Sequence, residues 1–222
     1  MRHRTIRSDA LCPGALTPTA SAGNASVNTT PIQRPKQLLK LALLTLALAT
    51  QSASTTPVDI AGVRFADAMV HEGTTLQRRG AGLLTYFFIK AYASALYLPA
   101  NVPPSAYKTD VPKCLEIGYL VKIDGEDFGP AGEKVLARTL TPAQLRALRP
   151  QFEALSRAYV DVKNGDRYAL CYAPGKGTTL KLNGRALTTV PGADFGALYY
   201  DIWLGPKPVD KDLRNELLGA PS

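Results

Sequence analysis

Hydrophobic and polar positions alternate with period two along several stretches of this chain and recur every three to four residues along another, so both strands and helices are expected. Val58-Asp-Ile-Ala-Gly-Val-Arg-Phe65 reads as a first strand. A turn-rich stretch around Gly73 leads to Gly80-Ala-Gly82, read as punctuation before the longest β candidate. From Leu84 to Leu98 the even positions are Leu84, Tyr86, Phe88, Lys90, Tyr92, Ser94 and Leu96; the odd ones run from Thr85 through Ala91, Ala93 and Ala95 to Tyr97. The small apolar odd face suits packing against helices, and the even face, with its rings and Lys90, is where a ligand could sit. Fifteen residues exceed the usual strand length, so a bend or break near the middle is expected.

Past a loop from Asn101 to Pro104, Cys114–Ile123 reads as a strand, Asp124-Gly125 as a turn, and a helical stretch follows. Thr141-Pro-Ala-Gln144 has the form of a capping box with proline at the first helical position. Leu145, Leu148, Phe152, Leu155 and Tyr159 then form one apolar stripe, with Pro150 expected to kink or split the helix. From Arg167 to Val190 a meander is predicted, with turns at Pro174–Gly177 and at Asn183-Gly184. A helix over Ala193–Trp203 ends at Gly205, and Asp210 caps a last short helix stopped by Gly219. Antiparallel strands with helices inserted between them predict an α+β domain, residues 57–222.

Charge alters this picture only at the N-terminus. Of the net charge of +8, the first fifty residues carry +5, leaving an ordinary +3 for the rest; without a basic stripe or recognition motif, nucleic acid is not an expected partner. Arg34, Lys36 and Lys40 precede the apolar Leu41–Thr50, and small residues follow, as in a signal peptide over residues 34–54 cleaved near 49–54. An apolar run of about ten residues falls short of the roughly twenty that span a bilayer, so no permanent membrane span is expected after cleavage. Residues 1–33 show no hydrophobic periodicity and read as an unstructured extension, long enough to suggest a translation start further in. A periplasmic or secreted location follows, and there Cys114 and Cys171 could form a disulfide or stay two separate buried thiols.

Three segments carry a family resemblance: Phe88-Ile-Lys-Ala-Tyr-Ala-Ser-Ala-Leu-Tyr-Leu98; Tyr172-Ala-Pro-Gly-Lys-Gly-Thr178 with Leu182-Asn-Gly184; and Ile202-Trp-Leu-Gly-Pro-Lys-Pro-Val-Asp210 with Glu216-Leu-Leu-Gly219. In this order they resemble the bacterial chalcone-isomerase-like domain. The resemblance implies an antiparallel sheet overlaid by a helical layer, an open-faced sandwich, in a family of true isomerases, fatty-acid-binding relatives and other bacterial members. Against the enzymes' polar set, the Thr falls on Tyr92, as in the fatty-acid binders. The Arg usual after the Gly-x-Gly in bacterial relatives falls on Leu84, with Arg78 or Arg79, before the glycines, as the alternative cation. The Tyr, Lys and Asn of the neighbouring helix fall on Ala131, Lys134 and Arg138.

Other chemistry is poorly supplied. His71, the histidine downstream of the leader, reads as a solvated turn residue; Gly175-Lys-Gly177 lacks the helix and ending of a phosphate loop; no Cys/His spacing suits a metal, and no cofactor is expected. The expectation is a non-catalytic binder of a small amphipathic or apolar ligand such as a fatty acid, held between sheet and helices. Tyr92, Lys90, Tyr86, Lys134 and Arg138 are its candidate contacts. A residual isomerase or lyase acting on an enone, and a structural envelope module, are the alternatives.

Overall fold

Seven strands lie side by side in chain order in one antiparallel sheet: β3 (Ala68–His71), β4 (Thr74–Tyr86), β5 (Ile89–Leu98), β6 (Lys113–Tyr119), β7 (Arg167–Ala173), β8 (Gly177–Leu182) and β9 (Arg185–Val190). The computed structural model describes residues 56–219. The expected N-terminal extension and signal segment lie outside the described residues. Helices α1 (Gly125–Leu136) and α2 (Pro142–Ser156) are inserted between β6 and β7, and α3 (Ala193–Leu198), α4 (Asp201–Leu204) and α5 (Lys211–Leu217) follow β9. This is the α+β arrangement the alternation predicted.

Three of the expected strands change. Val58–Phe65 is a hairpin of β1 (Val58–Ile60) and β2 (Val63–Phe65), because Ala61 and Gly62 turn at φ 53° and 86°. The long candidate Leu84–Leu98 breaks early, at Phe87-Phe88, so its two parts are the antiparallel strands β4 and β5. Cys114–Ile123 ends as a strand at Tyr119, and Ile123 makes only an isolated bridge to Val162.

Gly80 and Gly82 are not punctuation, because β4 runs through them. A Cβ on Gly80 would stand 2.0 Å from the Glu216 carbonyl oxygen, and one on Gly82 would stand 1.9 Å from its Oε2. Both glycines let α5 lie directly on the strand, where the Leu83 amide donates to Glu216 Oε2 at 3.1 Å.

Thr141 and Gln144 form the expected capping box, and α2 continues past Pro150 without being split. Proline removes one backbone bond on the exposed side, while Leu148 and Phe152, buried on either side of it, hold the helix to the core. The single helix expected over Ala193–Trp203 is two, α3 and α4, with Tyr199 and Tyr200 between them.

The sheet is covered on both faces. Leu96, Leu115, Leu170 and Tyr172 meet Leu148, Phe152, Phe195 and Leu213 in the larger core. On the opposite face Val63 and Phe65 pack with Ala93, Ala95, Tyr97, Cys114 and Cys171. The small face of β5 therefore packs under the β1–β2 hairpin, and the face with Tyr92 packs under the helices, the reverse of the sequence expectation. Helices bring bulky Leu and Phe side chains to the ringed face, whereas alanines leave room for a closely laid strand pair.

Cys114 and Cys171 are directly opposed on β6 and β7, with Cα atoms 4.1 Å apart, and are joined as a disulfide. His71 is buried beside them at 3% exposure rather than solvated in a turn. It ends β3, where alternation leaves Ala68 and Val70 exposed and turns Met69 and His71 toward the second core. Its Nε2 has no partner, and its pKa is lowered by burial, with Lys181 adding to the effect.

Candidate functional site

A cleft of about 230 Å³ lies where the β4–β6 end of the sheet meets α1 and α4. Alternation aims Leu84, Tyr92, Ile117 and Tyr119 into it from the strands, since residues two apart on β6 share a face. From α1 come Asp127, Phe128, Ala131, Gly132 and Val135, at the three- and four-residue spacings that place side chains on one side of a helix. Tyr159, Tyr199, Ile202, Trp203 and Val209 complete the wall. Gly132 keeps this wall close-packed, because a Cβ there would sit 3.1 Å from the end of the Ile202 side chain, which would have to shift by a few tenths of an ångström.

Aromatic rings organise the walls. Tyr119 packs edge-on against Tyr92, Phe128 and Tyr168, and Phe128 stacks on Tyr159 at 4.8 Å between centroids. Trp203 Nε1 donates to the Tyr92 hydroxyl at 3.0 Å, and the hydroxyls of Tyr159 and Tyr199 share a hydrogen bond of 3.0 Å. Burial raises the pKa of Tyr92, Tyr119 and Tyr159 far above the usual phenol range, and pushes Tyr199 up to about 12. At any physiological pH these phenols are neutral. They are hydrogen-bond donors and acceptors, and poor bases.

Among the described residues, the lining contains no Lys, Arg or His, and its one ionisable carboxyl is Asp127, which is exposed at the rim. Such a cleft can enclose an apolar body and meet one or two neutral oxygens. A carboxylate inside it would find no cation to offset its desolvation.

Of the residues singled out from the sequence, Tyr92 lines this cleft. Tyr86 and Lys90 stand exposed on the arm beyond it, because the β4–β5 turn comes at Phe87-Phe88. Lys134 is exposed on the outer side of α1, next in sequence to cavity positions but turned away from them. Arg138 lies past the end of α1 and donates to the Pro208 carbonyl at 2.8 Å, holding the loop that carries Val209. The structure thus brings Tyr92 together with Leu84 and Ala131, and leaves the four other candidates outside the cavity.

Sequence reasoning missed Tyr119, Phe128, Tyr159 and Tyr199. The helical spacing of Phe128, Ala131, Gly132 and Val135 was a usable signal for α1. Nothing local links Tyr199 to Tyr159 forty residues earlier. A trio of donors, His71, Cys114 and Cys171, with ligand atoms within 4.8 Å of one another, was also invisible in the spacing; with the sulfurs bonded to each other they offer no thiolate.

Together, sheet, helical layer and cleft define an α+β fold, an antiparallel sheet overlaid by helices, with an apolar small-molecule cavity between the layers. The chain belongs to the chalcone isomerase-like family, whose model matches residues 57–219. A search of curated proteins gave no match. Among solved structures, a fatty-acid-binding protein of Arabidopsis thaliana, AtFAP1, superposes with a TM-score of 0.58 at 16% identity, covering 74% of this chain and 96% of its own. At that identity the likeness concerns the fold.

Proposed function

We propose that this protein is an exported, non-catalytic binder that carries a small, largely apolar ligand in the cleft, with the ligand's oxygen met by tyrosine hydroxyls. The composition of the lining carries this reading: an aromatic and aliphatic wall with phenols, and charge only at the rim. The volume of about 230 Å³ lies just below the roughly 300–1,000 Å³ of ordinary small-molecule pockets, so the ligand is small or only partly enclosed. A fatty acid fits if its chain enters and its carboxylate stays at the mouth. That AtFAP1, of similar fold, is a fatty-acid-binding protein supports an amphipathic ligand of this kind. Export rests on the leader, and the Cys114–Cys171 bond agrees with an oxidising compartment.

Turnover of an enone would call for a preorganised charge at the developing enolate. Leu84, the position of the arginine usual in bacterial relatives, lines the cleft as a hydrocarbon, and Ala131 stands where the enzymes' tyrosine falls. Both features favour binding over chemistry.

The test is extraction of the purified protein with organic solvent, followed by mass spectrometry and by fluorescence titration of the extracted protein. Trp203 is the one tryptophan of the chain and lies in the cavity wall, so its emission reports occupancy directly. A stoichiometric apolar ligand that Tyr92→Ala fails to retain is the expected result. An empty protein whose emission ignores fatty acids, fatty alcohols and polyphenols alike would overturn the reading.

A further inference from the structure

Four consecutive large apolar side chains stand in solvent at the end of the β4–β5 hairpin. Tyr86 is 67% exposed, Phe87 77%, Phe88 99% and Ile89 59%. Beyond them Lys90 is exposed as well. The arm is free because β6 pairs with β5 only as far as Tyr92, which faces Tyr119, so the residues between Leu84 and Tyr92 project past the sheet.

The turn itself is unusual. Phe87 and Phe88 both have positive φ, 45° and 66°. A two-residue hairpin of this kind favours Asn-Gly, because a side chain with a Cβ is crowded there and an aromatic one gains nothing in return. The same chain makes the comparison. Its other turns with two successive positive φ values are Ala61-Gly62, Glu72-Gly73 and Asn183-Gly184, each with glycine second. Among the described residues, only the Phe87-Phe88 turn of this kind has no glycine. Folding does not call for two phenylalanines at this position, and Tyr86 is the one ring they touch that the structure records, edge-on at 4.6 Å from Phe87.

We propose that this tip is a membrane-docking element that inserts Phe87, Phe88 and Ile89 into the surface of an anionic lipid bilayer, with Lys90 at the headgroups. A second protein copy is a poorer occupant, because a stable interface buries about 800 Å² on each partner with roughly twenty to thirty residues a side, far more than four side chains on a narrow turn present. A lipid surface needs only a short apolar tip with a basic neighbour. Charge agrees, since the chain beyond residue 50 is net positive and anionic leaflets attract cations. Position agrees too: Tyr86 is two residues beyond Leu84 of the cleft wall, about 7 Å along the strand. An inserted tip holds the Leu84 and Tyr92 side of the cleft close to the lipid, where an apolar ligand resides.

Sedimentation with vesicles of equal parts phosphatidylcholine and phosphatidylglycerol, and with phosphatidylcholine alone, tests the proposal without any cleft ligand. The whole protein is compared with F87N/F88G, which installs the favoured turn and keeps every N-terminal residue, so binding through residues 1–54 is common to both. The expected result is binding to anionic vesicles that falls at least about tenfold in F87N/F88G, with an unfolding midpoint no lower than wild type. Lys90→Glu is expected to weaken binding to the anionic vesicles only. Equal sedimentation of wild type and F87N/F88G, or a wild type left in the supernatant with both compositions, would overturn it. So would a wild-type dimer that becomes monomeric in F87N/F88G with no vesicle binding by either, which would make the tip a self-association surface. An unchanged Trp203 response to an added fatty acid in F87N/F88G separates this proposal from the fate of the cleft reading.

Discussion

The indole of Trp203, on α4, donates to the hydroxyl of Tyr92, on β5, across 111 residues of chain and at 3.0 Å. Helical layer and sheet are thus tied by a buried polar bond in the wall of the cavity. Tyr92→Phe leaves a buried N–H without an acceptor, which costs roughly 1–3 kcal/mol. Denaturant unfolding followed by Trp203 emission is expected to show that loss together with a shifted native spectrum. An unchanged midpoint would mean that water reaches the indole.

The contact of α5 with β4 depends on absent side chains. Gly80→Ala drives a methyl group into the Glu216 backbone, and overpacking of this kind costs roughly 1–3 kcal/mol or more. Gly82→Ala meets the flexible end and Cβ of the Glu216 side chain, so it is expected to cost less. Thermal melts of the two variants should rank in that order.

Removing the disulfide tests how far the second face relies on it. Cys114 and Cys171 are 57 residues apart, and closing a loop of that length stabilises by roughly 4 kcal/mol in the chain-entropy model. C114A/C171A is therefore expected to fold with a much lower urea midpoint, and dithiothreitol should lower the wild type but not the variant.

Alkaline pH should unfold the protein before its buried phenols ionise. Tyr92, Tyr119, Tyr159 and Tyr200 have raised pKa values because they are buried, while in an unfolded chain they titrate near 10. Their contribution to stability is fully present below about pH 10; above it the unfolded chain sheds protons that the native one keeps, and stability falls.

Lys113 acts in the opposite sense. Burial pushes its pKa down to about 8, although its ammonium donates to the carbonyls of Tyr107 and Thr109. Between about pH 8 and 10.5 the unfolded chain holds a proton the native state has released, so this group adds stability as pH rises there. Urea midpoints are expected to hold or rise up to about pH 9 and to drop steeply above 10. In a Tyr86→Phe variant, which removes the exposed phenol, tyrosinate absorbance should appear only as circular dichroism is lost; early absorbance from that variant while folded would contradict the buried cluster.

Much of the fold was legible locally. The capping box at Thr141, the Asn183-Gly184 turn and the Asp210 cap are set by neighbouring residues, and each stands where the sequence put it. Phe87-Phe88 was not read as a turn because its residue types argue against one, and with it went the assignment of Tyr86 and Lys90 to the cleft. Gly80 and Gly82 look like breakers until α5 is placed on them, information carried 133 residues away. The cavity was half legible: alternation put Tyr92 on a ligand face, but which side the helices cover depends on where the β1–β2 hairpin lies.

The bond from the Leu83 amide to Glu216 also bears on when the chain can fold. β4 is synthesised early, yet its helical cover comes from residues made more than a hundred positions later. Until Glu216 has left the ribosome, the strand has neither the acceptor for that amide nor the helix that closes over its glycines. The nascent chain therefore stays short of its native state until that residue has emerged, and folding of the sheet waits on the last helix described.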